Sequence, residues 1–80
     1  MLTVVRVDSI YHLFHGTRPD RRATFVRVGA GVRYTFRGAN GRHQTMLTVE
    51  AARRRWTYLR KIGYLRWEEL PVRRQQEVRT

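Results

Sequence analysis

The 80-residue sequence contains no cysteine. This absence excludes disulfide scaffolds and zinc or iron–sulfur sites that thiolates would hold, and it fits a reducing compartment. We therefore expect a cytoplasmic protein without a cofactor. Ser9 is the one serine, and no pattern of residues pairs a nucleophile with a base, so we predict no catalytic residues and no enzymatic activity. No apolar run has the length of a membrane span, and the N-terminus lacks the apolar core of a signal peptide.

Acidic residues are also scarce, with 6 Asp plus Glu against 17 Lys plus Arg, which gives a net charge of +11. A polyanionic partner would relieve this self-repulsion, whether nucleic acid, an acidic protein surface or an anionic membrane. Lys61 is the one lysine, and all other basic residues apart from the histidines are arginine. Arginine suits bidentate contacts to phosphate and guanine. Codon bias would equally explain arginine over lysine, but it does not explain the missing acids.

The pattern of apolar residues predicts one small α+β domain over residues 1–70, followed by a basic, disordered tail over residues 71–80. We expect an antiparallel three- to four-stranded sheet, arranged as a meander, with one C-terminal helix packed on one face. The strands are predicted at residues 2–7, 23–28, 32–37 and 42–47, with the first at an edge of the sheet. Residues 8–16 fit either a helix or a strand.

The helix is predicted between Thr48, a suitable N-cap, and Gly63, a suitable C-terminal stop. Glu50 lies in the first turn, where a carboxylate interacts favourably with the helix dipole. One apolar stripe recurs at helical spacing and consists of Val49, Ala52, Trp56 and Leu59. This stripe is expected to cover the apolar face of the sheet.

Two turns set the predicted strand register. Asn40 and Gly41 suit a two-residue hairpin turn, and residues 29–31 suit a three-residue turn, which together place Val28 opposite Val32. Opposed residues share a face, so the apolar face collects Val26, Val28, Val32, Tyr34, Phe36 and Leu47. The other face collects Phe25, Arg27, Arg33, Thr35, Arg37, Arg42 and Gln44. A solvated face would mix both signs of charge, whereas this one has four arginines and no acid, which favours anion binding.

We therefore predict a small, non-catalytic nucleic-acid-binding protein that uses this face of the sheet, with support from Arg53, Arg54 and Arg60 of the helix. Phe25 would stack on a base if the target is single-stranded. The alternative is a protein-interaction module that docks on an acidic protein, in which case Trp67 and the C-terminal tail would contribute more. An unpaired edge strand could also join two copies into a homodimer.

Asp8, His12 and His15 have the spacing D-x-x-x-H-x-x-H, which on a helix would bring three metal ligands to one face. Structural metal sites need a fourth ligand, and the segment is only half helical in character. We therefore predict no metal site.

The order of elements over residues 23–64, with a helix that starts "TVEAA", resembles plant AP2 and integrase-arm DNA-binding domains. In that class the sheet, rather than the helix, enters the major groove, so the resemblance implies DNA binding through the sheet. The segment "TVEAARRRWTYLRKIGY" also resembles the end of WGR domains, which bind nucleic acid. The Trp-Gly and Trp-Gly-Arg motifs of these families are absent, so no residue roles are transferred.

Overall fold

The computed structural model describes residues 10–79, which form a five-stranded antiparallel sheet with the order β4-β3-β2-β1-β5. The elements are β1 (Ile10–His15), β2 (Arg22–Val28), β3 (Gly31–Gly38), β4 (Gly41–Thr48), α1 (Val49–Lys61), β5 (Tyr64–Leu65), a 3-10 helix (Trp67–Glu69) and α2 (Val72–Arg79). The predicted α+β class is confirmed, with five strands in place of three or four. The strand predicted at residues 2–7 lies outside the described residues, and the ambiguous segment that follows it forms β1.

Helix α1 begins and ends where its capping residues predict. The Thr48 hydroxyl accepts a hydrogen bond from the Ala51 amide at 3.0 Å, which satisfies one free donor of the first turn. Gly63, with φ of 107°, takes the positive-φ conformation that follows the helix end. Ala52 and Leu59 of the predicted stripe are buried. The apolar stripe therefore faces the sheet as predicted.

The turn between β2 and β3 is shorter than predicted. It consists of Gly29 and Ala30, so that Val28 pairs with Gly31 rather than with Val32. Gly29 has a φ of 58°, which glycine adopts without steric cost. A register change of one residue moves every side chain of β2 to the opposite face relative to β3. The predicted assignment of β2 to its two faces is therefore wrong.

The turn between β3 and β4 also differs from the prediction, but with a smaller effect. Ala39 and Asn40 form the turn, so that Arg37 pairs with Arg42, whereas the predicted turn at Asn40 and Gly41 would pair Arg37 with Gln44. Gly41 has a φ of 104°, whereas Asn40 has none of the predicted positive φ. The register moves by two residues, which preserves the face of each side chain because side chains alternate with a period of two. The predicted sharing of faces between β3 and β4 is therefore correct.

The core lies between α1 and one face of the sheet. Its buried members are Leu13, Ala23, Phe25, Val32, Tyr34, Ala52, Leu59 and Tyr64. Phe25 is central, because its ring lies 5.0 Å from that of Tyr34 and 5.4 Å from that of Trp56. A single helix packed on one side leaves most of the opposite face of the sheet uncovered.

The C-terminal segment packs on the opposite face at its β1 end. Phe14 is buried there and contacts the Trp67 ring edge-to-face, with centroids 6.1 Å apart. The sequence predicts a disordered tail at residues 71–80, whereas the structure has helix α2 there. Arg74 explains the difference: its side chain is buried, and Nη2 donates to the carbonyl oxygens of His15 at 2.8 Å and Arg18 at 2.9 Å. Neither helix in the described part of the chain is long and apolar enough to cross a membrane.

Candidate anion-binding face of the sheet

Three arginines lie side by side across the uncovered face of the sheet. Arg22 of β2 pairs directly with Arg37 of β3, and Arg37 pairs directly with Arg42 of β4. We call these three residues the arginine row. Because neighbouring strands lie about 4.8 Å apart, the three backbone positions span roughly 10 Å. All three residues are exposed, so their positive charges are concentrated on one short stretch of open surface.

Hydrogen-bonding side chains form the next row across the same face. His12, Thr24, Thr35 and Gln44 occupy opposed positions on four successive strands. The first three of them and the arginine row line a shallow cleft of about 280 Å³. His12 Nδ1 lies 3.1 Å from the Thr24 hydroxyl, which fixes the ring at one end of the cleft. The cleft therefore combines three positive charges with hydroxyl and imidazole groups.

The packing around Arg22 fixes one end of the arginine row. Its guanidinium carbon lies 5.6 Å from the centroid of the Phe14 ring, a cation–π geometry. Burial lowers the pKa of His12 below its usual 6.5, and the nearby Arg22 charge lowers it further. His12 is therefore neutral at neutral pH, and an anion bound in the cleft would shift its pKa upward.

The ion pairs of the described residues lie away from the arginine row. Within residues 10–79, the ion pairs join Arg60, Arg66 and Arg74 to the glutamates of the C-terminal segment. In this part of the chain, no carboxylate pairs with a member of the arginine row. No carboxylate of residues 10–79 therefore forms an ion pair that offsets the repulsion between these three arginines.

The predicted sheet residues Arg33, Thr35, Arg37, Arg42 and Gln44 do lie together on this face. The sequence does not predict three further residues of this face, namely His12, Arg22 and Thr24. The predicted strand begins at residue 23 and so leaves Arg22 out, and neither predicted face includes Thr24. A two-residue turn at Gly29 and Ala30 places Arg22 and Thr24 on this face, because counting back by twos from Val28 reaches both. His12 lies there because it pairs with Thr24.

The sequence predicts that Phe25 and Arg27 lie on this face, and this prediction is wrong. Phe25 is 4% exposed in the core, because its large ring fills the space between the sheet and α1. It is therefore not available to stack on a base. Arg27 pairs with Val32 and lies on the same side as the core, where its Nε donates to the Gly29 carbonyl at 3.1 Å.

The predicted helix arginines do not join the arginine row. Arg53 and Arg54 are exposed on α1, which packs against the other face of the sheet. Arg60 forms a bidentate ion pair with Glu69, in which Nη2 lies 2.7 Å from Oε2, and its Nη1 also donates to the Tyr64 carbonyl. This pairing lowers the pKa of Glu69 to about 2. Arg60 therefore connects α1 to the 3-10 helix.

His12 and His15 do not share a face, because β1 is a strand and residues three apart point to opposite sides. His15 Nδ1 accepts hydrogen bonds from the amides of Thr17 and Arg18, both at 3.1 Å, and so orders the loop after β1. Within residues 10–79, no three His, Asp or Glu side chains lie close enough together to hold a metal ion. Asp8 lies outside the described residues.

Comparison of the chain with models of known protein families, with curated protein sequences and with solved structures finds no match.

Proposed function

We propose that this protein binds nucleic acid through the arginine row. The observation that supports the proposal is the direct opposition of Arg22, Arg37 and Arg42, which form no ion pair with a carboxylate of residues 10–79. Like charges opposite each other destabilise a sheet, and an anionic ligand would offset this cost. Guanidinium groups bind phosphate in bidentate fashion, and a row of three matches a ligand with repeated phosphates better than a single anion.

The row beside the arginines supports nucleic acid over simpler polyanions. Thr24, Thr35 and Gln44 present hydroxyl and amide groups two residues along each strand from the arginines, a distance of about 7 Å. Such groups donate to and accept from base edges, whereas a phosphate polymer without bases would use only the donors. In this proposal the arginine row binds the phosphate backbone of the nucleic acid, and Thr24, Thr35 and Gln44 contact its bases.

The proposal is tested by fluorescence anisotropy with labelled duplex DNA, single-stranded DNA and RNA over a range of salt concentrations. Each phosphate neutralised on a duplex adds about −0.9 to the slope of log K against log salt. Replacing Arg37 and Arg42 together with alanine should reduce the magnitude of that slope by about 1.8. The matched control replaces Arg53 and Arg54, which removes the same charge from α1 and should change the slope less.

Undetectable binding to all three nucleic acids at about 50 mM salt would refute the proposal, since phosphate contacts are strongest at low salt. If the replacement of Arg37 and Arg42 and the replacement of Arg53 and Arg54 reduced the salt slope equally, the protein would attract nucleic acid diffusely, without a defined site. The alternative, an acidic protein partner, uses the same charges. It would be favoured if an excess of polyglutamate displaced the nucleic acid as effectively as unlabelled duplex does.

The proposal also includes a non-catalytic role in the cytoplasm and a capacity to form homodimers. Strand β4 supports the last point, because it is an edge strand of eight residues that are nearly all exposed. No strand of residues 10–79 pairs with its outer edge, so the backbone groups there could pair with a second copy. Sedimentation of the protein with and without a short duplex tests this point, and a monomer in both conditions would refute it.

A further inference from the structure

A second concave site lies on the other side of the sheet, between the sheet and α1. This groove has a volume of about 540 Å³, within the usual range for small-molecule sites. Three aromatic rings form much of its wall, from Tyr11, Phe25 and Trp56. The Tyr11 and Trp56 rings meet edge-to-face with centroids 6.2 Å apart. Such a wall suits a flat apolar body, because aromatic rings pack on one another in offset or edge-to-face arrangements.

Two arginines complete the lining of the groove. Arg27 comes from β2 and Arg53 from α1, so that the sheet and the helix each contribute one. Both are exposed, and within residues 10–79 neither forms an ion pair with a carboxylate. An apolar wall with two guanidinium groups that form no ion pair within residues 10–79 is complementary to a molecule with an apolar body and an anionic head.

We infer that the groove binds a small aromatic anion, with its ring against Tyr11 and Trp56 and its carboxylate or phosphate between Arg27 and Arg53. The inference is independent of nucleic-acid binding, because the groove and the arginine row lie on opposite faces of β2 and β3. A ligand that bridges Arg27 and Arg53 would also connect the helix to the sheet, and it would therefore raise the melting temperature of the protein.

The test uses nuclear magnetic resonance of the full-length, 15N-labelled protein, in which Trp56 and Trp67 are the two tryptophans. Trp56 lines the groove, whereas Trp67 packs on Phe14 at the other face and serves as an internal control. The probes are 2-naphthoate, 1-naphthyl phosphate and the neutral 2-naphthalenemethanol. We expect the anions to shift the Trp56 indole signal to saturation, with little change at Trp67 and weaker binding of the alcohol.

Two matched pairs of variants locate the site. Arg53→Gln should weaken the tighter anion about tenfold, as expected for the loss of a charged hydrogen bond, and the neighbouring Arg54→Gln should change it less than about twofold. Tyr11→Ala should also weaken binding, whereas Tyr58→Ala removes a similarly exposed ring of α1 that does not line the groove.

The inference is supported if either anion binds saturably and the variants differ as described. The anion that binds more tightly then shows whether the groove prefers a carboxylate or a phosphate. The inference is overturned by any of three results: no saturation, equal shifts at both tryptophans, or equal affinity for the alcohol and the anions. Equal effects of Arg53→Gln and Arg54→Gln would also overturn it, since they would show general charge attraction.

Discussion

Arg37 occupies the centre of the arginine row, so its replacement tests the row most directly. It is opposed by Arg22 on one side and by Arg42 on the other. Arg37→Gln keeps a polar side chain of moderate length and removes both repulsive pairs. We expect the variant to be more stable than the parent protein when no ligand is present, which is unusual for a substitution in a sheet.

The expected gain in stability is estimated from the distance between the opposed arginine charges. Two like charges about 7 Å apart in water repel by roughly 0.6 kcal/mol at low ionic strength. At about 0.15 M salt, screening reduces this to roughly 0.2–0.3 kcal/mol. Removal of two pairs should therefore stabilise the protein by about 1 kcal/mol at low salt. For a domain of this size that corresponds to a rise in Tm of roughly 4–8 °C.

The assay is thermal unfolding followed by circular dichroism at about 10 mM and about 150 mM salt, where the Debye lengths are roughly 30 and 8 Å. Arg33→Gln is the matched control, because Arg33 lies on the same strand and face but is opposed by Val26 and Met46. Arg42→Gln removes one pair and should give about half the gain. If Arg37→Gln stabilised no more than Arg33→Gln at low salt, the argument from opposed charges would be refuted.

Three further predictions concern the core and the titrating groups. Phe25→Ala should lower the free energy of unfolding by about 3–5 kcal/mol, and Trp56→Ala should lower it less. Phe25 is almost fully buried, whereas Trp56 is partly exposed in the groove. Chemical denaturation of both variants checks this order. Glu69 has a pKa lowered from 4.5 to about 2, so its contribution to stability is present above pH 4.5 and lost as the pH falls towards 2. Glu69→Gln should therefore melt at a temperature that depends less on pH in this window. Because native His12 has a lowered pKa, protonation should cost stability as the pH falls below about 6.5, and its ring signals should titrate at a higher pH once an oligonucleotide is bound.

The sequence predicts β3, β4 and α1 well because their signals are local. Alternation in "VRYTFR" and the hydroxyl of Thr48 each specify structure within a few residues. Strand β2 is different, because "ATFVRV" has apolar residues at both alternating positions. Ala23 and Phe25 compete with Val26 and Val28 for the core, so only the length of the next turn decides between them. The predicted turn is one residue longer than the observed turn, and this difference places Phe25 and Arg27 on the wrong face of the sheet.

The arginine row itself combines predictable and unpredictable parts. The predicted β3–β4 hairpin places Arg37 and Arg42 on one face, but it pairs Arg37 with Gln44, so their direct opposition depends on the observed turn. The position of Arg22 depends on the β2 register. Helix α2 could not be predicted from composition, because its anchor is a buried arginine rather than an apolar stripe. Arg74 reaches carbonyl groups of His15 and Arg18, more than fifty positions earlier in the chain, and no local pattern encodes such a contact.

The open edge at β4 has a consequence for symmetry. The opposite edge of the sheet is interrupted, because β5 covers Phe14 and His15 of β1. In the proposed homodimer the long edge of β4 would pair with the β4 of a second copy, and a contact between identical strands is isologous and closes at two copies. In such an antiparallel pair the two-fold axis would run perpendicular to the sheet, so both arginine rows would face the same side. A second copy would thus make the surface bivalent towards a single polymer, with the gain in effective concentration that bivalency brings.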